Sequence, residues 1–453
     1  MKAASWKWWS AAAALALATV PATAAPPALN TEEHASPAYP EILPLRERAK
    51  LQDAWLAKRL DTVVPRLMRE HGFDAWLIVA REYVEDPVLA TMLDAESMHA
   101  RRRTILLFFD PGGGKSVERL TVSRYGLGGL FAPAWDPKSE PDQWRRVAAL
   151  LAERKPKRIA INSSAASQFG DGLTLGQYEE LAAALSPELR GKLVRTDALA
   201  IGWLETRIPE ELAVYPDIVR LAHAIIAEAL SDKVVVPGKT SADDVVWWMR
   251  ERVSALGLKA WFQPSIGILR QGASGMLEGD EVIRPGDMLW TDFGITYLGL
   301  NTDTQHLAYV LKPGETDAPA GLKRGLAAAN RLQDVLTGAF ETGRSGNQIL
   351  AAARAKAIAA GLKPSIYSHP IGYHGHGAGS SIGFWDNQEA DSRGEHPLRP
   401  STAWSIELNA KAPVPEWAGQ ELEFRLEEDA WFDGERVRYL DGRQSRFHLI
   451  GRR

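Results

Sequence analysis

Residues 286–307 read GDMLWTDFGITYLGLNTDTQHL. MLWTDFG alternates along a strand, so Asp292 shares a face with Trp290, and GLNTDTQHLAYVL supplies the next strand. A hairpin turning near Tyr297, Leu298 and Gly299 brings Asp292 opposite Asp303, eleven residues later. Directly opposed side chains have Cβ atoms about 4.5–5.5 Å apart. Two carboxylates that close repel, and burial strengthens the repulsion. Either the hairpin is an ordinary solvated ribbon, or a divalent cation neutralises both charges.

Three stretches downstream bear on that choice. SHPIGYHGHGAGSSIG (368–383) sets His369, His374 and His376 in a glycine-rich loop, where glycine lets the backbone pack closely and orient an imidazole. STAWSIELNAKAPV places Glu407 inside an apolar strand. EFRLEEDAWF places Glu427 on one face with Arg425, while Glu428 points away. Each glutamate alone reads as an edge residue. Two aspartates, a histidine and two glutamates on successive strands have the composition of a two-metal site. Carboxylates with one imidazole and no thiolate suit manganese, zinc, cobalt or iron(II).

The rest of the chain frames this set. Its 453 residues exceed a typical single domain, and 45% hydrophobic with 24% charged residues is a globular composition. A net charge of −4 without a basic run gives no signal for nucleic acid or an anionic membrane. With no cysteine, disulfides and thiol nucleophiles are excluded. Residues 1–24 carry Lys2, Lys7, an Ala/Leu stretch and Ala22-Thr23-Ala24, the pattern of a cleaved secretory signal. Residues 25–40 read as a linker. From 41 to 205 apolar strands at DAWLIVA, TILLFFD and RIAINSS alternate with helical stretches, an α/β domain. From 206 to 453 the order helix, helix, strands occurs twice, a duplication at the level of pattern.

At this point residues 206–445 resemble the pita-bread metallopeptidases, which include methionine aminopeptidase, prolidase and proline-specific aminopeptidase. Asp292 in DFG, Asp303, a histidine in GHGAG, Glu407 and Glu427 stand in the family's order, with KPGE and RLEED as further matching text. Residues 41–205 resemble, more weakly, the N-terminal domain of creatinase and prolidase relatives. The resemblance implies an α/β (α+β) architecture, with a pita-bread domain after a smaller α/β domain. It implies that Asp292 chelates one metal, that Asp303 and Glu427 bridge two, and that His376 and Glu407 hold the second. GHGAG favours His376 over His374 as the ligand, and His374 or His369 remains as a replacement for a histidine missing elsewhere. Glu407 is the candidate proton acceptor. Two departures stand out. Relatives carry a histidine about 17 residues before the first aspartate, where QGASGMLEGDEVIRPGD has none. They also carry one about seven after the ligand histidine, and counting from His376 that position is Gly383.

The expectation is a hydrolase with two divalent ions, manganese foremost, cutting an N-terminal amide bond before proline in a peptide substrate. A hydrolase of a small non-peptide amide or amidine, and a non-catalytic peptide-binding relative, are the alternatives. An exported, periplasmic or secreted homodimer is expected, with no nucleic acid and no membrane after signal removal. Since Glu428 faces away, Glu428→Gln is expected to be mild beside Asp303→Asn.

Overall fold

The computed structural model describes residues 39–451. The signal expected at 1–24 lies outside them, as does the linker apart from Tyr39 and Pro40.

The first helix among the described residues, Leu45–Glu70, buries Leu56, Leu60, Val63, Val64 and Leu67 at helical spacing. Six strands follow: β1 (Ala75–Arg81), β2 (Arg103–Phe109), β3 (Glu118–Thr121), β4 (Ala132–Pro133), β5 (Ile159–Asn162) and β6 (Leu193–Thr196). They form one mixed sheet in the order β4-β3-β2-β1-β5-β6. β1 runs antiparallel to β2 and parallel to β5, and β5 runs parallel to β6. Helix Leu175–Ala184 makes the crossover that the parallel β5–β6 pair requires.

The second part opens with helices Tyr215–Ala229 and Ala242–Ala255. Ser241 starts the latter with a capping box: its hydroxyl accepts from the Asp244 N–H, and the Asp244 carboxylate accepts from the Ser241 N–H. Strands β7 (Lys259–Ala260), β8 (Ser265–Leu269), β9 (Met288–Phe293), β10 (Ile295–Tyr297), β11 (Leu300–Asn301) and β12 (Thr304–Val310) follow. The order then repeats. Helices Ala320–Thr337 and Gly346–Ala359 precede β13 (Pro364–Ile366), β14 (His369–Ile371), β15 (Thr402–Val414), β16 (Gln420–Phe432), β17 (Val437–Tyr439) and β18 (His448–Ile450). The main sheet runs β13-β15-β16-β12-β9-β8, with β14 on β15, β17 on β16 and β18 on β12.

One apolar core joins helix Leu45–Glu70 and the first sheet to helices Tyr215–Ala229 and Ala242–Ala255 and to β8–β12. A second lies between helices Ala320–Thr337 and Gly346–Ala359 and the main sheet. Among the described residues no helix is long and apolar enough to cross a membrane.

The hairpin register differs from expectation by two residues. Leu298 and Gly299, at φ 55° and 79°, form the two-residue turn between Tyr297 and Leu300. Glycine suits the second position of such a turn, where φ must be positive. The turn therefore falls one residue later than the expected pairing needs. Asp292 stands opposite Gln305, and Asp303 lies two positions away toward the turn.

Candidate metal centre

The register of the main sheet sets one row of side chains across five strands. Ser265 on β8 opposes Asp292 on β9, which opposes Gln305 on β12. Gln305 opposes Glu427 on β16, which opposes Glu407 on β15. Directly opposed residues share a face, so Asp292, Gln305, Glu427 and Glu407 project together. Asp303, immediately before β12, joins them. His369 on β14 opposes Ser405, two residues before Glu407, and brings an imidazole to the same face.

The imidazole is oriented by its other nitrogen. His369 Nδ1 lies 3.0 Å from the Pro370 carbonyl oxygen, which can only accept, so Nδ1 carries the proton. In the neutral ring Nε2 then presents a lone pair. That atom lies 3.5 Å from Glu427 Oε1, 3.7 Å from Asp303 Oδ2 and 3.8 Å from Glu407 Oε2. Burial keeps His369 neutral by pulling its pKa down to about 4. A lone pair facing three carboxylates is a set of donors that a shared cation suits. His369 Nε2, Asp292 Oδ1 and Asp303 Oδ1 are all buried with no hydrogen-bond partner. Unsatisfied buried polar atoms are costly, and here three converge.

The charge balance points the same way. Burial, then the Glu427 charge, hold Asp292 and Asp303 well above the usual carboxylate range. Burial and Glu427 do the same to Glu407. Burial pushes Glu427 up to about 7 against the lowering hydrogen bonds from Ser405 and Gln305. Four enclosed carboxylates and one neutral imidazole are a hard, oxygen-rich donor set, which divalent cations fit.

The histidine loop is held from beneath. The Tyr373 hydroxyl donates to Glu211 Oε1 at 2.9 Å, and the Arg59 and Arg207 guanidinium groups lie 4.9 and 4.6 Å from its ring. Asn301 donates to the Gly372 carbonyl from both its backbone and its side chain. A Cβ at Gly375 would come within 2.3 Å of the Trp261 ring, so the loop closes down only with glycine there.

The three histidines of that loop part company. His369 is 2% exposed among the carboxylates. His376 sits at the open edge, its ring 4.8 Å from that of His369, and shares a possible ligand group with Asp303 and His369. His374 turns toward the N-terminal sheet domain and packs on Phe169 at 4.8 Å. The geometry thus sets His369, rather than His376 or His374, deepest in the carboxylate ring. His376 is then the histidine seven residues after it, the position left vacant when the count starts from His376.

Glu428 does face away from the ring, but into the protein. Glu428 Oε1 lies 3.1 Å from His306 Nε2, and Oε2 lies 3.2 Å from His223 Nε2. His223 Nδ1 is 2.9 Å from Asp441, and His306 Nδ1 is 3.1 Å from His448. Burial opposes charging His223, yet Asp441 and Glu428 outweigh it and raise its pKa to about 9. The expectation of a mild Glu428→Gln therefore needs correction: the residue anchors a buried ion network.

Gln305, Ser405, Tyr367 and Trp385 also meet the site and escaped sequence reading. Ser405 donates to Glu427 at 2.5 Å, and the Trp385 indole donates to Glu407 at 3.2 Å. Tyr367 packs with Phe384 and Trp385 into an aromatic wall beside His369. Strand alternation could have flagged Gln305 and Ser405. The wall, which comes from a loop, has no period to read.

Residues 217–432 match the model of Metallopeptidase family M24. No curated protein matches the chain. Among solved structures, an X-Pro aminopeptidase from Thermotoga maritima superposes with TM-score 0.61 at 16% identity, covering 85% of this chain and 100% of that one. An Xaa-Pro dipeptidase from Bacillus anthracis gives 0.55 at 17%, covering 90% and 100%. A prolidase from Pyrococcus horikoshii gives 0.52 at 16%, covering 88% and 99%. Identities this low speak for the shared fold. The match places a domain of metallopeptidase family M24 at 217–432, and the solved structures share its pita-bread fold with a smaller N-terminal domain before it.

Proposed function

We propose that the protein is a dinuclear metal-dependent peptidase that cleaves the bond before proline near a peptide N-terminus. The convergence of Asp292, Asp303, His369, Glu407 and Glu427 around three unpartnered buried atoms carries this reading. Those five residues would hold the ions, with manganese the first to test. Bound there, divalent ions supply Lewis-acid polarisation of the scissile carbonyl and acidify water at neutral pH. The protein's own groups do the rest. Glu407 is the carboxylate that accepts the proton, steadied by the Trp385 indole and the Gln305 amide. His376, exposed at the edge, is placed to hydrogen-bond a peptide carbonyl. The wall of Tyr367, Phe384 and Trp385 offers flat apolar surface to a proline ring.

The test is hydrolysis of an Xaa-Pro panel against Xaa-Ala controls and simple amides, with manganese, zinc or cobalt added. Preference for Xaa-Pro supports the reading, and Xaa-Ala cleaved equally well refutes it. The glycine at 275, where relatives hold a histidine, favours the small-amide alternative, and faster turnover of simple amides would establish it. We further propose export with cleavage after residue 24, supported by the Lys2 and Lys7 start and the Ala/Leu stretch. N-terminal sequencing of the secreted chain checks it. The homodimer rests on family resemblance, and sedimentation tests it.

A further inference from the structure

On the face of the main sheet turned away from the carboxylate ring, three separate stretches of chain bring metal-binding side chains together. His223 comes from helix Tyr215–Ala229, His306 from β12 and Glu428 from β16. Strand alternation puts Gln305 and Glu427 on the ring side, and so sends His306 and Glu428 to the other. His223 is 5% exposed, and His306 and Glu428 are fully enclosed. None of the three has a part in the hydrolysis proposed above.

Each oxygen of Glu428 meets one imidazole: Oε1 is 3.1 Å from His306 Nε2, and Oε2 is 3.2 Å from His223 Nε2. The two rings stack, with centroids 5.1 Å apart. One nitrogen from each ring and one Glu428 oxygen lie within 4.8 Å of one another. Ligand atoms about 2.0–2.1 Å from a tetrahedral zinc ion stand roughly 3.3–3.4 Å apart, close to the approaches of Glu428 to the two rings.

The far nitrogens are held as those of metal-bound histidines are. His223 Nδ1 lies 2.9 Å from Asp441 Oδ2, and His306 Nδ1 lies 3.1 Å from His448 Nε2. A histidine ligand gives its second N–H to such an acceptor, which turns the lone pair of the other nitrogen toward the ion. Without an ion the same contacts are made through protons. A divalent ion serves both lone pairs at once and balances Glu428 and Asp441 together. Two imidazoles and one carboxylate suit zinc, whereas manganese favours the oxygen-rich ring on the other face.

We propose that His223, His306 and Glu428 hold a structural zinc ion that ties helix Tyr215–Ala229 to the rear of the main sheet. Three protein ligands leave the fourth position to a small donor such as water. Because the ligands are enclosed, the ion enters as the chain folds, and its binding contributes to stability.

The test uses the whole chain carrying His369→Ala, which leaves His376 as the one imidazole at the carboxylate ring. This chain is refolded with zinc and desalted. Mass spectrometry then counts zinc per chain, and X-ray absorption counts imidazoles on the ion. Zinc should be retained with two imidazole nitrogens at about 2.0–2.1 Å. Adding His306→Gln should weaken zinc binding about a hundredfold or more and abolish the two-imidazole signal. Should that variant fold poorly, His448→Ala leaves all three ligands in place, loosens only the orientation of His306, and should weaken zinc about tenfold. A chain that retains no zinc, zinc bound through a single imidazole, or affinity unmoved by both variants would overturn the proposal and leave the reading of the carboxylate ring standing.

Discussion

Replacing Asp303 with asparagine should shift stability in opposite directions with and without divalent ions. In the metal-free chain Asp303 is enclosed with three other acids, and burial followed by the Glu427, Asp292 and Glu407 charges raises its pKa. A carboxyl whose pKa is higher in the fold than in the open chain costs nothing below the open-chain value. It costs its full amount above the folded value. The penalty from Asp303 therefore grows as pH rises from about 4. For Glu427 itself the rise from 4.5 to about 7, at about 1.4 kcal/mol per pH unit, is on the order of 3 kcal/mol. Asparagine keeps the shape and removes the charge. At pH 8 with chelator, Asp303→Asn should be more stable than wild type, and near pH 4 the two should converge. With manganese at a thousand times its dissociation constant the wild type should gain about 4 kcal/mol. The variant should gain little and lose hydrolysis by orders of magnitude. Urea denaturation at both pH values, with chelator and with manganese, measures all four differences. A metal-free variant less stable than wild type at pH 8, or one that keeps the manganese gain, would refute the assignment of Asp303 to a cation site.

The other expectations follow from the two faces of β16 and from the histidine loop. Glu428→Gln should cost about 3–5 kcal/mol, the scale for breaking a buried ion pair, while bound manganese per chain stays at the wild-type value. Loss of metal with stability intact would reverse the roles of Glu427 and Glu428. His369→Ala should weaken manganese binding about a hundredfold or more. His376→Ala should keep the metal and lower kcat about a hundredfold, and His374→Ala should do neither. Calorimetry beside steady-state kinetics separates the three. His223, faced by Glu428, Asp441 and His306, with Arg220 on the far oxygen of Asp441, is raised to about 9 from the ordinary 6.5. Its stabilisation is full below about pH 6.5 and lost as pH rises through about 9, on the order of 3 kcal/mol in all. In His223→Gln that decline should vanish from melts taken across the range.

Much of the fold was written in local pattern. Ser241 and Asp244, three apart, spell a helix start, and the Ser345–Gln348 pair does the same in the second repeat. Period-two alternation put Glu427 and Glu428 on opposite faces before any coordinates, and β16 keeps them there. The duplicated order of helices and strands follows because each signal is a property of a few adjacent residues. The acids Asp292, Asp303, Glu407 and Glu427 were conspicuous for the same reason: a bare carboxylate inside an apolar strand is visible in a window of seven.

Tertiary structure decided what depends on register and on distant neighbours. The turn at Leu298-Gly299 falls within the expected stretch but one residue later than an Asp292–Asp303 pairing needs, and it set Gln305 opposite Asp292, because moving a hairpin turn by one residue moves its pairing by two. Among His369, His374 and His376, the GHGAG resemblance favoured the last. The pairing of β14 with β15 put His369 among the acids, and Phe169 drew His374 toward the N-terminal domain. Glu428 reads from sequence as a strand residue facing away, and whether water or protein lies there is invisible. His223, His306 and Asp441, spread over more than two hundred residues, make it a buried charge. Sequence alone fixed which side chains share a strand face; the packing of separate strands, helices and loops determined what each of those faces meets.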